Sequence, residues 1–353
     1  MIRSSPHAIR ASLCLLGLYA AAKALEHRPL VKRHLSVTSR FLKTTISSHF
    51  LPFNPDSDIA MLTAALECGD PCKYNKDPAW SPGPAQCASA WLRLLSSCPA
   101  TTWPPPRQPP AYMLDAYTMG GKISYEEWYF EQRYSGQAAL SSTWDPVSLD
   151  AALRAPDIAT MSDHVETTYG LDIASYVEAA LSKHRSAVDG KMGIVWGSEK
   201  PWAEVLLARA GAAHILTVEY GSITSKHPRF TTTPPNLAAL MISAPRIWDF
   251  AFTYSSLEHS GLGRYGDALN PWGDMEAAVQ TWCLLKPGGI FFLGLPCKDA
   301  SCSEDVLVWN AHRFYGQRRL PEVFAGYEVV DKVTTTDGVA RASIIYVLHK
   351  SFF

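Results

Sequence analysis

One stretch of this sequence leaves few folds open. Met192–Trp196 (MGIVW) is a short apolar run followed by Gly197, Trp202–Ala210 (WAEVLLARA) has helical character, and His214–Val218 (HILTV) is a second apolar run ended by Glu219. Apolar runs of this length bounded by turn residues read as buried strands, while Pro201 and Gly211 stand where a helix starts and stops. The same grammar continues downstream. Trp248–Tyr254 (WDFAFTY) predicts a strand, and Asp274–Leu285 predicts a helix with Met275, Ala278, Val279, Trp282 and Leu285 on one face. Lys286-Pro287-Gly288-Gly289 breaks that helix before a strand over Ile290–Leu295. Tyr327–Val333 and Ala342–Leu348 predict a closing pair of strands, with a turn around Asp337-Gly338. Alternation of this kind specifies an α/β fold built on a parallel sheet with helices on its faces.

Composition narrows the partners. The 353 residues are 47% hydrophobic and 18% charged, which supplies a large core and excludes a wholly disordered chain. Lys and Arg number 32 against 33 Asp and Glu, so no whole-chain basic footprint argues for nucleic acid. No apolar run reaches the roughly 18 residues of a spanning helix, which excludes a polytopic membrane protein. Twelve of the 25 prolines lie between Pro52 and Pro110, ending in PATTWPPPRQPP (Pro99–Pro110), a pattern that favours extended, semi-rigid spacers. The expected organisation is a targeting arm over residues 1–50, a Cys- and Pro-rich segment with linker over 51–111, and the main domain over 112–353.

The arm carries eight basic residues and one acid, Glu26, around the apolar run Ala11–Ala22. A positive start, a 12-residue apolar core and small residues at its end describe a secretory signal, or a short membrane anchor if Lys23 snorkels. An organelle transit peptide, for mitochondrion or plastid, is the competing reading of the same Arg- and Ser-rich, acid-poor stretch. Cys68, Cys72, Cys87 and Cys98 fall within 31 residues, and in the lumen of the ER or Golgi they would close two disulfides. Four unconnected thiols explain the same spacing as well.

A strand, a glycine turn, a helix and a second strand ending in an acid make half of a nucleoside-binding unit. Gly197 permits close backbone approach, and the following helix N-terminus offers free N–H groups. Glu219 lies 22 residues after Gly197, near the offset at which an acid receives ribose hydroxyls. A dinucleotide needs the tight pyrophosphate wrapping of several glycines, whereas the loop Gly197-Ser198-Glu199-Lys200-Pro201-Trp202 holds one glycine and an acid. S-adenosylmethionine, with a positive sulfonium and no phosphate, suits this loop better than a nicotinamide dinucleotide does.

Two further motifs carry a resemblance. Asp249-Phe250-Ala251-Phe252-Thr253-Tyr254-Ser255-Ser256-Leu257-Glu258-His259, followed by a helix and Leu285-Lys286-Pro287-Gly288-Gly289, resembles class I S-adenosylmethionine-dependent methyltransferases. The likeness spans about Gly190–Lys350. Leu257–Asp274 (LEHSGLGRYGDALNPWGD) and Asn310–Leu320 (NAHRFYGQRRL) are also similar to a domain family of unknown function found in nematodes and algae. The superfamily's acid-x-Gly-x-Gly loop is altered here. The resemblance implies a Rossmann-like class I methyltransferase fold with a mixed seven-stranded sheet. It also implies that Gly197 and Ser198 face the methionine part of S-adenosylmethionine, Glu219 its ribose and Ser255 the surroundings of the reacting methyl, with Trp202 a further cofactor-binding candidate.

Methyl transfer is an in-line displacement, so the enzyme mainly positions the acceptor and excludes water. An oxygen acceptor must also lose a proton, a task that suits a neutral His. His259 is the first candidate base, Glu258 its orienter and His312 the alternative, although a purely structural turn at Glu258-His259 explains those residues equally well. Some sugar-hydroxyl methyltransferases of the superfamily bind a metal near this point, but Ser255 stands where they carry a carboxylate, which disfavours a metal site. In the loop over Gly261–Gly273, Arg264, Tyr265, Asp267, Asn270 and Trp272 are candidates for contact with a polar ring such as a sugar. The aromatics of YEEWYFEQRY (125–134) recur at helical spacing and predict a packed helix. The expected activity is methyl transfer to a hydroxyl of a polar small molecule or glycan. A methyltransferase-shaped scaffold without catalysis is the second reading.

Overall fold

The computed structural model describes residues 105–129, 141–234, 248–265, 267, 269–336 and 342–350. The chain divides into two units, Met1–Tyr74 and Asn75–Phe353, and every described residue belongs to the second. The targeting arm, Cys68, Cys72, Cys87, Cys98 and the turn at Asp337-Gly338 lie outside the described residues. Among the described residues no helix is long and apolar enough to cross a membrane.

The elements in chain order are α1 (Ala111–Tyr117), β1 (Ser124–Glu126), β2 (Ser141–Trp144), α2 (Pro146–Arg154), α3 (Ile158–Ser162) and α4 (Gly170–Lys183). Then come β3 (Met192–Trp196), α5 (Trp202–Arg209), β4 (His214–Val218), β5 (Ser222–Ser225), β6 (Phe230–Thr233) and β7 (Trp248–Tyr254). The chain closes with α6 (Gly273–Leu284), β8 (Leu285–Cys297), β9 (Val306–Val308), β10 (His312–Phe314), α7 (Leu320–Val323), β11 (Tyr327–Thr336) and β12 (Ala342–Lys350). Helix starts follow local chemistry. The Asp145 carboxylate accepts the Ser148 N–H at 2.9 Å before α2, and Asp157 accepts that of Thr160 at 2.7 Å before α3.

Seven strands form one sheet in the order β11-β12-β8-β7-β3-β4-β6. The pairs from β6 through β8 are parallel, and β12 runs antiparallel to both of its neighbours. Alternate residues on each strand feed opposite faces, as a pleated strand requires. Val195, Ile215, Phe250, Phe252, Phe292, Ile345 and Val347 pack against α2 to α5 on one side. Ile194, Leu216, Ala251, Phe291, Leu293, Ile344 and Leu348 pack against α6 and α7 on the other. Gly193 sits where the Phe250 ring crosses β3: an added Cβ would come within 2.0 Å of that ring, so the glycine makes room for the core. Small sheets β1-β9-β10 and β2-β5 flank the main one.

Two sequence expectations change. The aromatic stretch from residue 125 is not a helix where it is described. Tyr125 and Glu126 belong to β1, which pairs in parallel with Val306–Val308, a long-range partner that overrides the local periodicity. Leu285 leaves helix α6 and opens β8, and Lys286-Pro287-Gly288-Gly289, with Gly288 at φ of +76°, makes the irregularity between the pairs Trp248↔Leu285 and Phe250↔Ile290.

Candidate functional site

Register brings the site together. Trp196 pairs with Val218 on β4 and with Thr253 on β7, so the three strands end level with one another. The residues that follow them are Gly197, Glu219 and Ser255. The sheet's order reverses between β3 and β7, and ligands of such sheets bind outside the carboxyl ends at that switch point. A cleft of about 270 Å³ opens there. Gly197, Ser198, Trp202, Glu219, Ser255 and His259 all line it, together with Tyr169, Trp196, Glu199, Tyr220 and Tyr265.

The glycine turn is held tightly. Gly197 has φ of +68°, donates its N–H to the Val218 carbonyl at 3.0 Å, and accepts the Ser256 hydroxyl at 3.0 Å. A Cβ on Gly197 would stand 2.2 Å from Ser256 Oγ and 3.9 Å from Glu219 Oε2, so the turn and the acid are neighbours across an open gap. The Glu219 carboxylate accepts the Gly221 N–H at 3.3 Å. Burial, reinforced by the charge of Glu199, pushes its carboxyl up to about 7. Trp202 is almost fully buried at the start of α5, edge-on to Tyr169 and Tyr254 at 5.8 Å each. The Trp196 indole Nε1 is buried and has no hydrogen-bond partner among the described residues.

Ser198 differs from the expected role, because its hydroxyl is turned away to the Lys200 carbonyl at 2.8 Å and to Glu204 at 3.0 Å. Glu204 is fully buried in α5 and receives the Thr217 hydroxyl from β4 at 2.7 Å, so it ties the glycine loop to the sheet. Burial pushes Glu204 from its ordinary 4.5 up to about 7. The folded chain therefore holds this proton through a pH range in which the unfolded chain releases it, and the corresponding stability is lost as pH rises through that window. Glu204→Gln should be more stable than wild type at pH 8 by about 1–3 kcal/mol and gain nothing below the unfolded value. Chemical denaturation at the two pH values checks this.

The three expected catalytic residues divide. His259 lines the cleft, whereas Glu258 and His312 do not. Glu258 is 1% exposed, buried behind Ser255, whose hydroxyl donates to its Oε1 at 2.6 Å. The orienter of His259 is the backbone, not Glu258: Nδ1 lies 2.6 Å from the Ala311 carbonyl, while Nε2 is 3.8 Å from Glu258. Burial and the charge of Arg264 push the imidazole down to about 3. His312 on β10 stands behind His259, with ring centroids 6.2 Å apart. Among the described residues no group of three or more His, Cys, Asp or Glu is placed to hold a metal ion.

The loop after β7 also divides. Tyr265 and Asp267 reach the cleft. Asp267 nevertheless accepts the N–H groups of Gly261 at 2.6 Å and Gly263 at 3.3 Å, so it shapes the loop. Arg264 donates to the Ala311 carbonyl at 3.1 Å, Asn270 donates to Glu276 at 2.9 Å, and Trp272 is buried near Arg319. These three brace the loop instead of meeting a ligand. Sequence reasoning missed Tyr169 and Glu204. The signal for Glu204 was an acid amid the apolar run of α5, but nothing local marks Tyr169, which arrives at the start of α4.

This strand order, with a switch-point cleft and a reversed β12 between β8 and β11, is the Rossmann-like class I methyltransferase fold. Residues 190–344 match the profile of the family described as Caenorhabditis protein of unknown function, DUF268. A comparison with curated proteins finds no match. Among solved structures, the Burkholderia thailandensis 1,6-didemethyltoxoflavin-N1-methyltransferase is similar at 15% identity and TM-score 0.40, over 59% of this chain and 91% of that one. The N-methyltransferase NodS from Bradyrhizobium japonicum is similar at 13% identity and TM-score 0.37, over 58% and 97%. Magnesium protoporphyrin IX methyltransferase from Synechocystis is similar at 11% identity and TM-score 0.35, over 50% and 80%. Strand order, not these distant likenesses, carries the fold assignment.

Proposed function

We propose that the chain is an S-adenosylmethionine-dependent methyltransferase that acts on a hydroxyl of a polar small molecule or glycan. The observation that carries this reading is the gap between Gly197 and Glu219 at the switch point. A side chain at 197 would fill it, a carboxylate faces it, and Trp196, whose indole N–H has no partner among the described residues, lines it. Glu219 would take the ribose hydroxyls, the Gly197 turn would lie against the methionine part, and Trp202 with Tyr169 would close the apolar side. When bound, S-adenosylmethionine supplies an electrophilic methyl on a positive sulfonium. Glu219 and Glu199 give the cleft an acidic character that favours such a cation and opposes a diphosphate.

Calorimetry with S-adenosylmethionine and the full chain tests the reading. Glu219→Ala should weaken binding roughly 10- to 100-fold, the usual consequence of losing a charged hydrogen-bond acceptor. Absence of binding heat with wild type would favour a non-catalytic scaffold instead. A hydroxyl acceptor fits the mixed polar and aromatic rim formed by Tyr169, Tyr220 and Tyr265. The disulfide between Cys297 and Cys302, which the sequence analysis did not anticipate, supports an oxidising compartment and hence a secretory-lumen setting for a glycan acceptor. Recovery of a tagged chain in cytosol would remove that support.

A further inference from the structure

We propose that Ser255 and Glu258 form a proton relay that draws the acceptor's hydroxyl proton out of the cleft. The proposal rests on the methyl-transfer reading and names the group that ends up with the proton. Ser255 is at the cleft wall, its Oγ is 2.6 Å from Glu258 Oε1, and Glu258 is sealed behind it. The other carboxylate oxygen, Oε2, is buried with no hydrogen-bond partner among the described residues. An ionised carboxylate with an unsatisfied buried oxygen is costly to maintain, so the site is poised to take up a proton.

Ser255 has little else to offer. Its N–H is bonded to the Gly294 carbonyl at 3.1 Å, and its own carbonyl accepts the Tyr169 hydroxyl at 3.4 Å. Its φ of +51° lies in the left-handed region, which costs a side-chain-bearing residue about 1 kcal/mol. The fold holds a strained serine after the end of β7, in the cleft wall and hydrogen-bonded to a buried acid.

His259 is the rival base. Its Nδ1 carries the hydrogen donated to the Ala311 carbonyl, which leaves Nε2 with the lone pair, 3.8 Å from Glu258. Burial and Arg264 hold the imidazole near 3, whereas burial lifts Glu258 to about 7 against the hydrogen bond from Ser255 and the charges of Arg264 and Arg313. The hydroxyls of Tyr169, Tyr265 and Tyr315 also lie within electrostatic reach of that carboxyl. Near neutral pH Glu258 is the stronger proton acceptor. His259 is then a positioning residue.

In the step, the acceptor's proton passes to Ser255 Oγ as the serine's own proton passes to Glu258, which becomes a carboxylic acid. The acceptor oxygen uses the freed electron pair to form its bond to the methyl carbon. The pair of the broken carbon–sulfur bond stays on sulfur, and Glu258 returns its proton to water once product leaves.

Infrared titration of the full chain tests the relay without an acceptor. In the difference between wild type and Glu258→Gln one protonated-carboxyl component titrating near neutral pH is expected, beside the components that Glu204 and Glu219 keep in both chains. Ser255→Ala, which removes the hydrogen bond to the anion, should move that titration up by about one unit. S-adenosylmethionine should move it down by about one unit, and S-adenosylhomocysteine should not, because only the former adds a sulfonium charge to the groups that the two share. A Glu258 titration left near the ordinary carboxyl range, or unmoved by Ser255→Ala, overturns the relay. If both cofactor forms bind by calorimetry but the titration ignores their difference in charge, the relay falls while the methyl-transfer reading stands. If neither form binds, both fall.

Discussion

A chain carrying valine at position 197 should lose S-adenosylmethionine binding by at least about 100-fold while keeping its sheet. Two costs combine. The turn needs φ of +68°, a conformation that a β-branched residue resists, and the new Cβ would fall 2.2 Å from Ser256 Oγ and 2.6 Å from Ser256 Cβ. Relief requires that the turn swing into the cleft or that Ser256 give way, which would break its hydrogen bond to the Gly197 carbonyl and drag Ser255 with it. Either movement closes the space against Glu219. The core contacts of β3 run through Ile194 and Val195, both buried beneath this loop and untouched by the change, so the fold should survive. Calorimetry measures the affinity, and circular dichroism verifies folding. Wild-type affinity in a folded Gly197→Val chain would show that the cofactor sits elsewhere. If the variant fails to fold, Glu219→Ala, whose carboxylate lies at the cleft wall, carries the same question.

How much of this was legible beforehand depends on where each interaction lives. Strands β3, β4 and β7 end where the sequence placed them because each is a block of five to seven mostly apolar residues between turn signals, and those signals are local. Strand β6, the sheet's edge beside β4, is FTTT, too polar to announce itself and recognisable only by its pairing from Ile215↔Phe230 to Val218↔Thr233. The site residues follow the same division. Gly197, Glu219 and Ser255 each end or follow a strand, so once the strands were placed the three had to converge. The partners of side chains were not visible in this way. Glu258 stands next to His259 in the chain and looks like its orienter, yet the 3₁₀ turn Leu257–His259 points the imidazole at Ala311, 52 residues further on.

The same distinction explains the second motif. Arg313 and Arg319, from the NAHRFYGQRRL stretch, are both almost fully buried and converge on Asp274, at the end of the LEHSGLGRYGDALNPWGD stretch. Arg319 grips the carboxylate with Nε and Nη2 at 2.7 and 2.6 Å, and Tyr315 adds its hydroxyl at 2.9 Å. Arg313 donates to the carbonyl of Ser260 at 2.7 Å, and Arg319 to that of Pro271 at 2.6 Å, so the two guanidiniums pin both ends of the loop that carries Tyr265 and Asp267. Burial by itself would raise the Asp274 carboxyl, but the two cations outweigh it and hold it near 2.

Asp274→Ala should therefore destabilise the chain by about 3–5 kcal/mol, because two buried cations lose their shared counter-charge. The melting temperature should fall by roughly 10 °C or more. Since the folded value lies below the unfolded one, the wild-type contribution is present above the ordinary carboxyl range and fades as pH falls toward 2, so the difference between wild type and variant should shrink in acid. The double variant Asp274→Leu with Arg319→Met removes charge from both sides of the pair and should cost less than the sum of its single variants. Additive costs in that cycle would mean that the aspartate and the arginine act independently, and the loop would then owe its shape to its own turns instead of to the arginines beneath it.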